Sequence, residues 1–141
     1  MPFVFWDDQL AVGVPSIDEQ HKKLLAIMNA LAEEMQAQNG RQALGKALAD
    51  LTEYTQVHFR FEENLIKSAV PEQFVTHMQE HQTLIARLNE LQDKYDHSTT
   101  GILSIEALQF IRSWLLAHIA GSDKSVFRSA AQKKARARLP A

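Results

Sequence analysis

Apolar side chains recur every three or four residues through four long segments of the 141-residue chain, and this spacing limits its fold more than any other feature. Because an α-helix has 3.6 residues per turn, the repeat places these side chains on one helical face. Turn-forming residues separate the segments at 39–40, 68–71 and 97–101. Long helices with short connections pack as antiparallel neighbours. The sequence therefore predicts an all-α fold, an up-down-up-down antiparallel four-helix bundle with an N-terminal extended arm and a short C-terminal helix or tail.

Length and composition indicate a single globular domain. A chain of this length buries roughly two thirds of its unfolded surface. Hydrophobic residues make up 45%, charged residues 23% and the net charge is −2, which indicates neither disorder nor nucleic acid binding. We predict one domain over residues 1–141, with an arm at 1–15, the bundle at 16–121 and a basic tail at 122–141. No stretch reaches the ~20 apolar residues of a membrane span and no signal peptide is evident, so we expect a cytoplasmic protein.

Local signals predict where three of the helices begin or end. Ser16-Ile17-Asp18-Glu19 matches a capping box, so the first helix should follow Ser16. Pro71 suits the first position of the third helix, and Gly121 is a predicted stop for the fourth. Beyond it, residues 124–141 contain six basic and no acidic residues. This tail either contacts an acidic partner or a membrane surface weakly, or is solvated and partly helical.

Polar side chains interrupt the predicted apolar faces at core positions. They are His21 in the first segment, His58 and Glu62 in the second, His77 and His81 in the third, and His118 in the fourth. Antiparallel packing places the starts of helices one and three beside the ends of helices two and four, so these residues should meet at one end of the bundle. An unpaired buried polar group costs about 1–3 kcal/mol. Several such losses exceed what a marginally stable domain tolerates, which predicts a bound metal.

Asp123 is a further candidate ligand. It lies five residues after His118, which on a regular α-helix places it about 140° away around the axis. It joins the cluster only if the chain departs from α geometry after His118, and Gly121 permits that departure. Five imidazoles and two carboxylates exceed what one octahedral ion holds, so the sequence predicts two metal ions with one open position. Nitrogen-rich ligation suits iron better than calcium or magnesium, and a closed four-ligand zinc site fits less well.

The order and spacing of these residues resemble the hemerythrin family, in particular its single-domain bacterial members. The resemblance rests on WDDQLAVGVPSIDEQH (6–21), HFRFEE (58–63), HMQEH (77–81) and WLLAHIAGSD (114–123). It implies two iron ions joined by an oxo or hydroxo bridge, one held by three histidines and the other by two. The implied ligands are His77, His81 and His118 for one iron, His21 and His58 for the other, and Glu62 and Asp123 as bridges.

The resemblance also implies reversible O2 binding, for storage, delivery or sensing, at the open position of the iron with two histidines. The apolar residues that it places around this position are Leu24, Phe59, Trp114 and Leu116. Walls of this kind exclude water and protons and so slow autoxidation. Leu65-Ile66 and Ala69-Val70 stand where family members often have methionine and tyrosine, which limits what the resemblance implies about pocket shape. The expected partners are O2 and an unidentified protein recipient, and we expect a monomer without stable membrane association.

Two other functions compete with O2 binding. A di-iron oxidase or reductase would act on O2, peroxide, nitric oxide or ferrous iron. Ferritin-like oxidases, however, use carboxylate-rich sites with Glu-x-x-His pairs, and no such pair lies on the predicted apolar faces. A regulatory module responding to iron or O2 would need a separate partner, because no output domain is attached. We therefore expect an O2-binding protein rather than an enzyme.

Three titratable residues near these motifs are expected to lie outside the site. Glu80 directly precedes His81 and should point away from it. Glu63 lies about 100° around the helix from Glu62 and should face water. His97 falls in a predicted loop and should be a solvated surface residue.

Overall fold

Four of the helices pack side by side in chain order. The computed structural model describes residues 2–37, 39–97, 103 and 105–139, and within these residues it contains five α-helices and no strand. In chain order the helices are α1 (Pro15–Ala37), α2 (Arg41–Ala69), α3 (Phe74–His97), α4 (Ile105–Ala117) and α5 (Lys124–Ala137). Helices α1 to α4 form the antiparallel four-helix bundle, which confirms the predicted fold class.

The connections between helices follow the predicted turns where the chain is described. Asn39 and Gly40 lie between α1 and α2, and α2 is followed by a 3₁₀ turn, Pro71–Gln73, that leads into α3. The predicted turn at 97–101 lies outside the described residues from residue 98 onward. Consecutive helices pack against one another, α1 on α2, α2 on α3 and α3 on α4. Short turns therefore place each helix beside the one before it, as the up-down-up-down order requires.

The apolar face of each bundle helix is buried against its neighbours. Full burial of one such side chain contributes about 1.5–3 kcal/mol, so these faces hold the bundle together. None of the described helices is both long enough and apolar enough to cross a membrane. The core side chains that are at most 1% exposed include Leu24, Met28 and Leu31 from α1, Leu48 and Leu51 from α2, Leu84 and Leu88 from α3, and Leu108 and Leu115 from α4.

The first helix begins two residues earlier than the capping box predicts. Pro15 is its first residue, so Ser16 lies inside the first turn and the prediction that Ser16 precedes the helix is wrong. Proline suits this place because its fixed φ is already helical and its missing N–H would have no partner there. Asp18 instead accepts a hydrogen bond from the backbone N–H of Val12, at 2.8 Å. That contact joins the N-terminal arm to the start of α1.

The fourth helix does not stop at Gly121. At His118 the chain changes from α4 into one π-helical segment, His118–Asp123, and then continues directly into α5. The prediction of a helix stop at Gly121 is therefore wrong, whereas the predicted departure from α geometry after His118 is confirmed. A π-helix bonds residue i to residue i+5, so it brings residues five apart onto nearly the same face.

The basic C-terminal residues are helical and attached to the bundle. Helix α5 packs against α2 and buries Val126 and Phe127, which are 2% and 5% exposed. The alternative of a solvated, partly helical tail is confirmed in part, since residues 124–137 are helical and residues 131–139 are exposed, whereas Val126 and Phe127 are buried against the bundle. Lys124 donates to the carbonyl of Gln9 at 2.9 Å, which ties the start of α5 to the arm.

Hydrogen bonds hold the N-terminal arm against the bundle. The backbone N–H of Val4 donates to Oδ1 of Asn29 at 2.8 Å, and the Asn29 amide donates back to the Val4 carbonyl at 2.9 Å. Arg112 donates to the carbonyl of Phe3 at 3.1 Å. Because Asn29 belongs to α1 and Arg112 to α4, the arm bridges two helices of the bundle.

Two apolar clusters lie on either side of a polar layer. The larger cluster fills the bundle, and the smaller one joins the arm, the start of α1, the end of α2 and α5. On α1, Ile17 belongs to the smaller cluster and Leu24 to the larger, with His21 between them. On α2, Glu62 likewise lies between Phe59 and Ile66. The histidines and carboxylates are therefore enclosed by apolar packing from both sides.

Candidate metal centre

All seven sequence-predicted metal ligands are buried and lie together in the polar layer. Their relative exposure runs from 0% to 6%. Their nitrogen and oxygen atoms form two groups that share Glu62, and within each group the atoms lie within 4.8 Å of one another. The three-histidine group contains His77, His81 and His118 with Glu62 and Asp123, and the two-histidine group contains His21 and His58 with Glu62.

Glu62 turns one carboxylate oxygen toward each group. Its Oε1 lies 2.8 Å from Nε2 of His77 and 3.0 Å from Nε2 of His81. Its Oε2 lies 3.1 Å from Nε2 of His58 and 3.4 Å from Nε2 of His21. A carboxylate in this position reaches both groups at once, which is the geometry that a bridging ligand requires.

Asp123 makes the same division between its two oxygens. Its Oδ1 lies 2.7 Å from Nε2 of His77 and 3.0 Å from Nε2 of His118, and its Oδ2 lies 3.3 Å from Nε2 of His21. The contact with His118, five residues earlier, exists because both residues belong to the π-helical segment His118–Asp123. The local change of helix type therefore places a second carboxylate between the two groups of histidines.

The carboxylates determine the charge state of the imidazoles. Burial disfavours the protonated ring of His21, but Asp123 and Glu62 outweigh that effect and raise its pKa from 6.5 to about 9. The same balance raises the pKa of His77 to about 9. Burial also opposes ionisation of Glu62, yet the surrounding histidines hold its pKa well below the ordinary value of 4.5. The cluster thus favours ionised carboxylates and concentrates positive charge beside them.

Several buried atoms in the cluster have no hydrogen-bond partner among the described residues. An unsatisfied buried group costs about 1–3 kcal/mol, so five of them in one place need a common explanation. Nitrogen and carboxylate oxygen atoms that converge on one point, several of them without a hydrogen bond, fit the donor set of transition-metal ions. The residues therefore fit a metal centre. The atoms without a hydrogen bond are Nδ1 and Nε2 of His21, Oε2 of Glu62, Nε2 of His118 and Oδ1 of Asp123.

Sequence reasoning missed the residues that contact the outward nitrogens of the histidines. Glu63 lies 2.7 Å from Nδ1 of His81, so the expectation that it faces water is wrong. Glu80 lies 3.1 Å from Nδ1 of His118, so it does not simply point away from the site. Both carboxylates reach a histidine on a neighbouring helix, which the periodicity of their own helix does not reveal.

Neutral partners contact two further histidines. Oε1 of Gln20 lies 2.7 Å from Nδ1 of His58, and the hydroxyl of Ser122 lies 3.4 Å from Nδ1 of His77. Metal-binding histidines usually donate their second N–H to such a group. A search for polar residues adjacent in sequence to the predicted ligands would have found Gln20, since it directly precedes His21.

Aromatic rings cover part of the three-histidine group. Phe59, 1% exposed, stacks on His81 with ring centroids 3.7 Å apart and an angle of 3° between the planes. Trp114 stacks on His118 at 4.6 Å and 14°. Of the other two predicted pocket residues, Leu24 is fully buried in the main core and Leu116 is partly buried against it.

His97 lies away from the metal centre. It is the last residue of α3 rather than part of a loop, and its side chain is 79% exposed. Its Nδ1 contacts the carbonyl of Asp93 at 2.9 Å, which is a local contact within the same helix. His97 is therefore the surface histidine that the sequence predicts.

With no metal bound, the protein is expected to lose stability as the pH rises through about 9. The pKa values of His21 and His77 are about 9 in the folded chain against 6.5 for a free imidazole. Their stabilising contribution is therefore complete below pH 6.5 and disappears as the pH passes through the folded-state value. Denaturant titrations of chelator-treated protein should give a lower free energy of unfolding at about pH 10 than at about pH 6. Equal values would contradict the assigned charge states.

Comparisons with known proteins agree with this site. The family model described as the hemerythrin HHE cation binding domain matches residues 12–130. A bacteriohemerythrin of Stenotrophomonas maltophilia (strain R551-3) is 30% identical over 125 residues, covering 89% of this chain and 80% of that protein. A hemerythrin-like protein of Naegleria gruberi is 33% identical over 118 residues, covering 84% of this chain and 86% of its own.

Solved structures show the same fold. A crystal structure of wild-type hemerythrin superposes with a TM-score of 0.79 and 29% identity, covering 87% of this chain and 94% of that one. A hemerythrin variant with one leucine replaced by tyrosine gives a TM-score of 0.83 and 27% identity, covering 93% and 99%. These matches confirm the resemblance carried by the histidine and carboxylate motifs. The chain belongs to the hemerythrin family.

Proposed function

We propose that the protein binds O2 reversibly at a non-heme di-iron centre, for oxygen storage, delivery or sensing. The observation that carries this proposal is the division of two buried carboxylates between two groups of histidines. Each of Glu62 and Asp123 presents one oxygen to the three-histidine group and the other to the two-histidine group. Such an arrangement suits two adjacent cations, and the family and its named relatives support iron and O2.

The proposed ligands follow the two groups. When bound, the iron pair supplies the electrons that O2 binding requires. The two-histidine group contributes one imidazole fewer than its neighbour, so an iron held there would keep a coordination position for a small ligand. The protein's own part is to hold seven ligand side chains in place in an enclosed polar layer. The ligands are His77, His81 and His118 on one iron, His21 and His58 on the other, and Glu62 and Asp123 between them.

We propose that apolar side chains protect this centre from water. Phe59 and Trp114 stack on His81 and His118, and the two leucines of the proposed pocket, Leu24 and Leu116, belong to the adjoining core. Exclusion of water and protons slows irreversible oxidation of an O2 complex. The proposed walls therefore favour reversible binding over turnover.

The donor set also favours a binding protein over an enzyme. Ferritin-like di-iron proteins use Glu-rich sites with Glu-x-x-His pairs, whereas this site has five imidazoles and two carboxylates. We further propose a single-domain, cytoplasmic monomer without stable membrane association that passes O2 to another protein.

Anaerobic reconstitution with ferrous iron tests the proposed function. The loaded protein should contain about two irons per chain, and its visible absorption should change when O2 is admitted and return when O2 is removed. Irreversible oxidation with release of peroxide or superoxide would contradict reversible binding and favour the oxidase alternative. Iron content near zero would contradict the metal centre itself.

Replacement of single histidines tests the ligand assignment. His77→Ala is expected to lose iron or the dinuclear centre, because Nε2 of His77 contacts both carboxylates, while much of the helix content remains. His97→Ala is the matched control, since its side chain is 79% exposed, and it should retain full iron content. Iron quantification and circular dichroism measure both properties. Equal iron retention in the two variants would show that His77 is not a ligand.

A further inference from the structure

The outward nitrogens of the histidines have different partners in the two groups. Every Nε2 atom faces the centre of the cluster, which leaves each Nδ1 to contact the surroundings. In the three-histidine group, His81 contacts the carboxylate of Glu63 at 2.7 Å and His118 contacts that of Glu80 at 3.1 Å. Two of its three rings therefore have an anionic partner.

The two-histidine group has no anionic partner of this kind among the described residues. His58 contacts the neutral amide of Gln20 at 2.7 Å, and Nδ1 of His21 is buried without a hydrogen-bond partner in the described part of the chain. Glu62 and Asp123 are common to both groups, so they do not create this difference. Beyond the difference in the number of histidines, the asymmetry therefore lies in the surrounding contacts.

An anionic acceptor changes the donor strength of an imidazole. With Nε2 directed to a metal, Nδ1 carries the hydrogen and donates it to the partner. Hydrogen bonds to an ionised acceptor are roughly twice as strong as neutral ones, and they raise the basicity of the ring. A more basic ring binds a cation more tightly and stabilises a higher positive charge on it.

Resting on the di-iron centre proposed above, we propose that Glu63 and Glu80 are positioning residues that make the three-histidine group the tighter of two unequal metal subsites. Neutral Gln20 leaves the two-histidine subsite weaker. The subsite with fewer protein donors is therefore also the one whose ion is held less strongly. The unequal partners thus distinguish the two metal positions before any O2 binds.

The two glutamates are not equivalent. Glu63 is 17% exposed and lies at the shorter distance, whereas Glu80 is 40% exposed, so water competes more strongly for its carboxylate. Glu80 also accepts a hydrogen bond from the Ser122 hydroxyl at 2.5 Å, and that hydroxyl lies 3.4 Å from Nδ1 of His77. The Ser122 hydroxyl therefore links the ring of His77 to Glu80, but the group in direct contact with that ring is neutral. We therefore expect Glu63 to have the larger effect on metal affinity.

Anaerobic titration with Co²⁺ tests the inference without O2 chemistry. Calorimetry and the visible absorption of bound Co²⁺ should show two binding steps of different affinity in the native protein. Glu63→Gln keeps the size of the side chain and removes its charge, and it should weaken the tighter step about 10–100-fold while changing the weaker step little. Glu80→Gln should act on the same step by a smaller factor. Gln20→Glu should strengthen the weaker step.

Glu90→Gln is the matched control. Glu90 is a glutamate of α3 that is 52% exposed and pairs with Arg87 at 3.4 Å, so its charge should not affect either step. Thermal melting of each metal-free variant reports whether the fold is retained. As an independent readout, the midpoint reduction potential of iron-loaded Glu63→Gln should rise, because a less basic ligand stabilises the oxidised ion less.

Three results would overturn the inference. They are two Co²⁺ ions bound with equal affinity by the native protein, equal weakening of both steps by Glu63→Gln, and no response of either step to Gln20→Glu. Each differs from failure of the proposed function, which is judged by reversible O2 binding to the iron-loaded native protein. If the protein binds O2 reversibly but its two Co²⁺ steps are equivalent, the proposed role of Glu63 and Glu80 is wrong and the proposed function stands. If the two Co²⁺ steps are distinct and shift as expected but the protein does not bind O2 reversibly, the proposed function is wrong and the role of Glu63 and Glu80 stands.

Discussion

Glu62→Ala is expected to abolish binding of both metal ions rather than one, lowering iron content from about two per chain to near zero. The reason is that Oε1 faces the three-histidine group and Oε2 the two-histidine group. Removing one partner of a buried charged cluster costs about 3–5 kcal/mol, so the metal-free variant should also unfold at lower denaturant concentration. Iron quantification after anaerobic reconstitution and denaturant titration measure the two effects.

A matched control separates the bridge from the helix that carries it. Glu53→Ala removes an exposed glutamate from α2 and should leave the iron content unchanged. Glu62→Gln retains the side-chain volume and keeps the test informative if the alanine variant fails to fold. Retention of one iron by a folded Glu62 variant would show that this carboxylate serves one subsite only.

Phe59→Ala is expected to lower the free energy of unfolding by about 3–5 kcal/mol and to accelerate autoxidation. Its ring is 1% exposed and stacks on His81 at 3.7 Å, so its removal leaves a cavity beside the proposed metal centre. Water entering that cavity would approach the histidine rings directly. Denaturant titration gives the stability, and the decay of the O2-dependent absorption gives the autoxidation rate.

Phe61→Ala is the natural comparison for Phe59→Ala. Phe61 lies two residues further along α2 and is 39% exposed, so its removal should change stability much less. Equal losses in the two variants would contradict the packing argument. A destabilised Phe59→Ala protein with an unchanged autoxidation rate would remove Phe59 from the proposed protective wall while leaving its role in the core.

The fold was accessible from the sequence because helical periodicity is a local property. Apolar residues at steps of three and four mark the inner face of a helix whatever lies opposite, and the turn at Asn39-Gly40 and the proline at Pro71 mark boundaries independently. The same property identified five histidines and Glu62 as inward-facing. Their convergence at one end followed from antiparallel order alone, before any distance was known.

The local signals failed where two of them compete or where a helix continues. Ser16 matches a capping box, but Pro15 already satisfies the requirements of a first helical residue, so the helix begins before the serine. Gly121 is a common stop residue, yet the chain continues through it as a π-helix into α5. Burial of Val126 and Phe127 against the bundle holds that continuation in place.

By itself the sequence determined the four-helix bundle, the inward face of each helix and the set of inward histidines, because these depend on spacing within each helix and on the short connections between helices. The tertiary structure decided the rest. It placed Asp123 among the histidines through a local change of helix type, and it brought Glu63 and Glu80 to rings on other helices. Helical periodicity assumes the same rotation about the helix axis at every residue. The π-helical segment changes that rotation, and the contacts of Glu63 and Glu80 depend on residues of other helices.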